Sequence, residues 1–204
     1  LKKDIDYRLR LEVVDNALGG SLFDLIKNAI EANNFPWYFI ENSAYPPGAD
    51  FFGTTVTGGT DKELIAPSPL HYSFSHLALK QGEILSNYHD ITKSVAVVLK
   101  DLFRESGLQN YDIIRLRWGM TTSINKAWKN EPHIDMKEKH KVILFYLNDS
   151  DGDTYFYDKD HNIIDSVTPK ENRAVLFDGS ILHSSSKPVE FARRIVLNIN
   201  LKEI

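Results

Sequence analysis

From Gly107 onward, the chain alternates short β-forming runs with brief turns. Eight strands are predicted, near residues 111–118, 131–135, 141–148, 153–157, 162–167, 173–177, 181–185 and 193–202. Their β-branched and aromatic residues fit a pleated, half-buried surface. Many short strands joined by tight turns are typical of a jelly roll. The second half of the sequence therefore predicts a double-stranded β-helix core.

The first half of the sequence predicts helices and extended segments that support this core. A helix is expected from an N-cap at Ser21 to Asn33, and two more are expected over residues 71–85 and 87–105. Extended segments are expected over residues 7–14, 35–40 and 51–56. We therefore predict a mainly β fold with flanking helices (α+β), in which N-terminal helices pack on one sheet. Residues 1–204 are expected to form a single domain, with 1–109 as a helical and extended support region and 110–204 as the jelly-roll core.

A candidate metal site begins in the second predicted strand of the core. Side chains two positions apart on a strand face the same side, so His133 and Asp135 can bind one ion together. Of the seven histidines, only His133 has an acidic residue two positions on. This triplet alone is common by chance, so a third ligand is needed. His183, which follows an apolar run and a turn, is the candidate; two imidazoles and a carboxylate are the ligand set of non-heme Fe(II) oxygenases.

Two arginines open the last predicted strand. If Arg194 faces the barrel interior, the alternation of the strand gives it a wholly apolar outer face, formed by Ile195, Leu197, Ile199 and Leu201. Such a face requires covering helices, and the N-terminal half offers them. We therefore favour Arg194 over Arg193 as the inward residue, where a guanidinium can bind a carboxylate through two parallel hydrogen bonds. The alternative is that either arginine is a surface residue at a strand start.

Taken together, these residues resemble the Fe(II)- and 2-oxoglutarate-dependent oxygenases, and among them the prolyl-hydroxylase-like branch that includes many bacterial and phage proteins. The resemblance covers about residues 110–202. Its motifs are His133-x-Asp135, Tyr146-Leu147-Asn148, Gly152-Asp153-Thr154-Tyr155-Phe156, Pro169 to Asn172, Val175 to Asp178, His183 and Arg194. The sequence departs from the family where Gly-Asp-Thr replaces the frequent Gly-Gly-x-Thr, and where the stretch before His133 is longer than usual.

The resemblance implies a 2-oxoglutarate-dependent dioxygenase. It implies that His133, Asp135 and His183 are the catalytic ligands of Fe(II), and that Tyr146 and Arg194 bind 2-oxoglutarate. With O2, such an enzyme hydroxylates an unactivated C–H bond and releases succinate and CO2. Peptidyl proline or another protein side chain is the expected substrate, and a small metabolite is the alternative.

Two other kinds of protein stay open at this point. One is a non-catalytic jelly roll of cupin or lectin type, and the other is an interaction domain without metal, in which the three candidate ligands do not converge. The loop over residues 119–132 is expected to overhang the pocket. Its Trp128 either meets a ligand or holds its own loop in place.

Composition restricts the partners. The net charge of −4 gives no global basic field, so no nucleic-acid partner is expected. The chain has no cysteine, which excludes disulfides and cysteine-bound metals and favours a cytoplasmic location. No apolar run approaches the roughly 20 residues of a membrane span, so no membrane association is expected. The oligomeric state is left open.

Overall fold

A computed structural model describes residues 11–41, 50–51, 54–55 and 72–204, with only the backbone of residues 50–51 and 54–55. Its helices are α1 (Gly20–Glu31) and α2 (His89–Leu102), followed by short 3-10 helices at Arg104–Ser106 and Leu108–Asn110. Its strands are β1 (Glu12–Val14), β2 (Tyr38–Ile40), β3 (Asp50–Phe51), β4 (Thr54–Thr55), β5 (Ser73–Lys80), β6 (Glu83–Ile84), β7 (Tyr111–Thr122), β8 (Trp128–Lys129), β9 (His140–Tyr146), β10 (Thr154–Tyr157), β11 (Ile163–Val167), β12 (Arg173–Asp178), β13 (Leu182–Lys187) and β14 (Arg193–Glu203).

Two antiparallel sheets form the core of the fold. The large sheet has the strand order β1-β12-β9-β14-β7-β5-β2, with β6 paired to β5, and the small sheet has the order β11-β10-β13-β8. From β7 onward, successive strands are distributed between the two sheets in the manner of a double-stranded β-helix. The predicted jelly roll is therefore confirmed.

Strand β14 lies at the centre of the large sheet, between β7 and β9. Its apolar face belongs to a hydrophobic cluster that also contains Phe23, Ile26 and Ile30 of α1 and Val95 and Leu99 of α2. Its opposite face contributes Val196 to a second cluster between the two sheets. The alternation predicted for β14 and the packing of the N-terminal helices on one sheet are thus both confirmed. Because the first cluster joins residues from both halves of the chain, it does not test the division at residue 109, which stays a prediction.

The helix predictions need correction at two places. Helix α1 begins two residues earlier than an N-cap at Ser21 implies, because the Gly19 carbonyl accepts hydrogen bonds from the backbone N–H groups of Leu22 and Phe23. Gly19 is therefore the N-cap, and Ser21 is not. Helix α2 is shorter than predicted and turns Thr92, Val95, Ala96 and Leu99 inward, whereas Val98 is 41% exposed and Leu102 is 42% exposed.

The helix predicted over residues 71–85 is wrong in the part that the structure describes, because residues 73–80 form β5 and residues 83–84 form β6. Strand β5 pairs with β2 on one side and β7 on the other. A bulge between Leu77 and Leu79 breaks the strict alternation of the strand, which gives its sequence a helix-like spacing. Pairing within the sheet overrides that local pattern.

The extended segment predicted over residues 35–40 contains β2. Its Tyr38 and Phe39 are more than half exposed, since β2 is an edge strand.

The second strand of the predicted core, over residues 131–135, is reduced to one isolated bridge between His133 and His183. Pro132 has no backbone N–H to donate to a ladder, and the chain bends at Asp135. The preceding residues Trp128 and Lys129 form β8. The extended segment near residues 7–14 is described only from residue 11 and contains β1, whereas the segment near 51–56 contains the short pair β3 and β4. In the part of the chain that the structure describes, no helix has the length and apolar character needed to cross a bilayer.

The turn between β12 and β13 gives a direct test of the packing. A Cβ at Gly179 would overlap the imidazole of His140, a side chain that is only 1% exposed. Gly179→Ala should therefore lower the free energy of unfolding by about 1–3 kcal/mol, measured by urea denaturation. Gly20→Ala is the matched control, because nothing lies within 4 Å of its added Cβ. Equal losses in the two variants would contradict this packing.

Candidate active site

His133 and His183 are held together by their own backbones. Each donates its N–H to the carbonyl of the other, with both N···O distances 3.0 Å. Asp135 follows after the bend, and the possible ligand atoms of the three side chains all lie within 4.8 Å of one another. The predicted candidates therefore converge, although they do not share a regular strand. The alternative of an interaction domain without metal required that the three candidate ligands do not converge.

The two imidazoles are oriented for metal binding. Nδ1 of His133 lies 3.1 Å from the Glu131 carbonyl, and Nδ1 of His183 lies 3.0 Å from the Ile181 carbonyl. Because a carbonyl only accepts, each Nδ1 must carry the proton and donate it. Burial lowers the pKa of both rings, and with the nearby His133 it brings the pKa of His183 to about 4. Each neutral ring thus keeps a lone pair on Nε2 for a ligand bond.

Asp135 is held in its ionised form by polar side chains. Its Oδ2 accepts hydrogen bonds from Nδ2 of Asn198 at 3.0 Å and from Nδ2 of Asn200 at 2.8 Å. Nη1 of Arg115 lies 3.8 Å from Oδ1. Burial works to raise the pKa of the Asp135 carboxyl, but Arg115 and then the histidines hold it well below its usual value. Two neutral imidazoles and an ionised carboxylate are the protonation states that a divalent metal requires.

A cavity of about 100 Å³ is lined by His133 and Asp135, whereas His183 is not among its lining residues. Its walls come mainly from β5, β7 and β14, and they include Arg115, Arg117 and Arg194. Among the described residues of the lining, Asp135 is the one acidic side chain, so these residues carry a formal charge of +2 in a chain whose net charge is −4. The pKa of Arg117 is lowered to about 10, mainly by burial and secondly by the positive charge of Arg115. Arg117 is therefore a cation at neutral pH. The cavity is therefore built for anions.

The structure separates the two candidate arginines. Arg194 is 4% exposed and lines the cavity, whereas Arg193 lies at the surface and pairs with Glu31 of α1. Nη2 of Arg194 donates to Oγ1 of Thr154, which also hydrogen-bonds the Tyr146 hydroxyl, each at 2.8 Å. Nε of Arg194 has no hydrogen-bond partner among the described residues. A buried guanidinium with an open donor facing a cavity can take up a carboxylate.

Tyr146 lies behind Arg194 and is fully buried in the cluster between the sheets. Burial raises the pKa of its phenol, so the hydroxyl keeps its proton and can donate. It is not among the residues that line the cavity, but its ring centre lies 5.4 Å from Cζ of Arg194, and Oγ1 of Thr154 hydrogen-bonds both side chains. Its role as a 2-oxoglutarate ligand stays a prediction. Thr154 belongs to the motif Gly152-Asp153-Thr154-Tyr155-Phe156, and the sequence alone assigns it no role.

The sequence-based interpretation missed the two inward arginines of β7. Arg115, Arg117, Gly119 and Thr121 all line the cavity, as their alternation with apolar Leu116 and Trp118 could have indicated. The fully buried Trp118 points to the helices instead, where its Nε1 donates to Oγ1 of Thr92.

The loop over residues 119–132 reaches the cavity only in part. Gly119, Met120, Thr121 and Asn130 belong to its lining. Trp128 instead lies on β8, where it pairs with Lys187 of β13, and it is not part of the lining among the described residues. The interpretation of Trp128 as a residue that holds its own loop agrees better with this position.

Part of the chain matches the sequence model of a known protein family. Residues 121–202 match the sequence model described as the 2OG-Fe(II) oxygenase superfamily. No curated protein matches the chain in sequence.

Solved structures are similar in fold. An oxidoreductase of the 2OG-Fe(II) oxygenase family from Burkholderia pseudomallei has a TM-score of 0.64 at 8% identity, over 94% of this chain and 85% of that one. A prolyl hydroxylase from Trichoplax adhaerens, in complex with a hypoxia-inducible-factor peptide, has a TM-score of 0.57 at 15% identity, over 95% and 83% of the two chains. The non-heme, α-ketoglutarate-dependent epimerase SnoN from nogalamycin biosynthesis has a TM-score of 0.60 at 12% identity, over 96% and 78%.

The two asparagines of β14 should support metal binding through Asp135. Asn200→Ala removes the 2.8 Å hydrogen bond to Oδ2 of Asp135. We expect it to weaken Fe(II) binding about tenfold, because residues that orient metal ligands contribute roughly 10–100-fold to affinity. Anaerobic metal titration monitored by calorimetry measures this. Asn162→Ala, in an exposed turn, is the control; an unchanged affinity in Asn200→Ala would contradict the orienting role.

Lys187 is a buried cation at the end of β13. It is 1% exposed, its Nζ donates to the Tyr72 carbonyl at 2.8 Å, and it lies 3.6 Å from the centre of the Tyr72 ring. Burial lowers the pKa of Lys187 from 10.5 to about 8. The folded chain therefore loses this proton at a lower pH than the unfolded chain does.

This difference predicts a pH dependence of stability. Between pH 8 and pH 10.5 the unfolded chain holds more protons at Lys187, so its contribution to the free energy of unfolding rises with pH. Below pH 8 both states are charged, and the penalty of burying the charge is present in full. Urea unfolding of Lys187→Met and of the wild type from pH 7 to pH 10 measures the gap between them, taken as the free energy of unfolding of the wild type minus that of the variant. This gap should rise as pH rises. The exposed Lys93→Met is the control, and a constant gap for Lys187→Met would contradict the prediction.

Proposed function

We propose that the chain, whose residues 121–202 match the model of the 2OG-Fe(II) oxygenase superfamily, is a dioxygenase of that superfamily. In this proposal its Fe(II) is held by His133, Asp135 and His183, and its 2-oxoglutarate is bound by Arg194. The convergence of the three side chains within 4.8 Å, with both Nδ1 atoms committed to carbonyls, carries this proposal. The superfamily uses Fe(II), 2-oxoglutarate and O2, and the fold is that of its solved members.

The bound iron would supply the chemistry that oxidises an unactivated C–H bond, and 2-oxoglutarate and O2 would be consumed as cosubstrates. Three protein ligands leave the remaining coordination positions free for cosubstrate and O2. The backbone bridge fixes the two histidines, and Asn198 and Asn200 fix Asp135. The chain's own contribution is thus a rigid ligand set that does not need to rearrange when the metal binds.

The cosubstrate's distal carboxylate would bind Arg194. The open Nε of this residue and its 4% exposure support a charge-assisted hydrogen bond shielded from water. Thr154 orients the guanidinium, and Tyr146 holds Thr154. Oγ1 of Thr121, opposite Arg194 in the β14–β7 pairing, also lacks a partner among the described residues and is a further donor for the same carboxylate.

For the substrate, two classes are proposed rather than one compound. Peptidyl proline or another protein side chain is what the sequence resemblance implies, and the similar structures include a prolyl hydroxylase in complex with a peptide. They also include an epimerase from nogalamycin biosynthesis, so a small-molecule substrate has equal support. A cupin-like binding module without catalysis is the competing function, and it gives no reason for a buried arginine beside the metal ligands.

Anaerobic titration of the protein with Fe(II), with and without 2-oxoglutarate, tests the proposal. Chelation of the iron by 2-oxoglutarate gives a visible charge-transfer band, which we expect from the wild type and not from His183→Ala. If no band forms with correctly folded protein, the oxygenase proposal is wrong. A band that survives His183→Ala would remove this residue from the ligand set.

The two arginines provide a matched pair of variants. Arg194→Ala should weaken 2-oxoglutarate binding by at least about tenfold and Fe(II) binding far less, because a lost charge-assisted hydrogen bond costs about 1.5–3 kcal/mol. Arg193→Ala, at the surface, should change neither. A larger effect from Arg193→Ala would contradict the assignment of the cosubstrate to Arg194.

A further inference from the structure

Two cations of β7 are not used by the proposed metal and cosubstrate sites. Arg115 and Arg117 lie two positions apart on the same face of β7, which places their backbones about 7 Å apart. They pair across the sheet with Asn200 and Asn198, whereas Arg194 pairs with Thr121 further along. The cosubstrate arginine and this arginine pair therefore occupy different parts of the cavity wall.

The hydrogen-bonding capacity of these arginines is not fulfilled. Nε and Nη1 of Arg115 and Nε of Arg117 are buried and have no hydrogen-bond partner among the described residues. Arg115 is 5% exposed. A buried guanidinium without partners is costly, about 1–3 kcal/mol for each unsatisfied group, so such groups are kept where a ligand satisfies them.

The charges of the cavity leave one cation without a counter-ion. Asp135 lies 3.8 Å from Arg115 and offsets its charge. The distal carboxylate of 2-oxoglutarate would offset that of Arg194. In the part of the chain that the structure describes, no carboxylate forms an ion pair with Arg117. The charge of Fe(II) and that of dianionic 2-oxoglutarate cancel, so the cavity keeps a positive excess that a carboxylate of the substrate can offset.

The wall beside Arg117 is open. The next inward position on β7 is Gly119, where a Cβ would meet only Cγ1 of Val196, at 3.8 Å. The space over Gly119 is therefore free between Arg117 and Thr121, next to the metal ligands. A substrate bound there would place its anionic end on the arginines and its carbon skeleton near the metal.

We propose that Arg115 and Arg117 bind a carboxylate of the substrate, and that the substrate is a small molecule with a free carboxylate, such as a free amino acid, rather than an uncharged proline within a peptide. This inference rests on the proposed function. It makes Arg117 a specificity-determining residue and assigns the excess positive charge of the cavity to substrate recognition.

The test uses the anaerobic complex of the protein with Fe(II) and 2-oxoglutarate. It is titrated with each of the free L-amino acids, with their carboxamides and with a prolyl peptide capped at both ends, and the shift of the visible band and the melting temperature are measured. We expect at least one free amino acid to shift both, and its carboxamide to shift neither. Failure of the band to form at all would overturn the proposed function, whereas a band that no amino acid shifts would overturn this inference alone.

Variants separate recognition from folding. Arg117→Gln should weaken binding of that amino acid by at least about tenfold while the band of the 2-oxoglutarate complex still forms, and Arg117→Lys should keep part of the affinity because it keeps the charge. Arg193→Gln removes a surface arginine and should bind like the wild type. Equal binding by wild type and Arg117→Gln, or binding of the capped peptide in preference to every free amino acid, would overturn the inference.

Discussion

The alternation of β14 is the constraint on which the rest of the structure depends. Its outward residues Ile195, Leu197 and Ile199 anchor the helical layer, and its inward residues include Arg194, Asn198 and Asn200. A shift of one residue in register would bury the polar set under the helices and expose the apolar set to the cavity. Burial of the apolar face therefore fixes which polar groups reach the candidate active site.

The second determinant is the bridge between His133 and His183. It joins two segments that are distant in the chain, through two backbone hydrogen bonds of 3.0 Å. Backbone carbonyls then fix the imidazole tautomers, and the amides of β14 fix Asp135 from the opposite sheet. The metal ligands are thus oriented by both sheets together, which explains why an irregular segment around Pro132 can hold two of them.

Much of the core was predictable because its signals are local. The turns and short strands after residue 107 predicted the jelly roll, and the parity of β14 predicted that Arg194 and not Arg193 faces inward. The predictions failed where tertiary pairing overrode local pattern. Strand β5 was interpreted as a helix because a bulge disturbs its alternation, and Ser21 was interpreted as an N-cap although Gly19 fills that position. Arg115 and Arg117 were missed because an inward arginine on one strand has meaning only beside the asparagines of its neighbour.

The central claim is that one cavity holds a divalent metal on His133, Asp135 and His183 and a dicarboxylate on Arg194. A crystal structure of the protein with Mn(II), as a stand-in for iron that does not turn over, and 2-oxoglutarate tests this most directly. The account predicts metal density bonded to Nε2 of both histidines and to the Asp135 carboxylate, with the distal carboxylate of 2-oxoglutarate on Arg194. Metal bound elsewhere, or 2-oxoglutarate anchored by Arg115 and Arg117 instead, would contradict it.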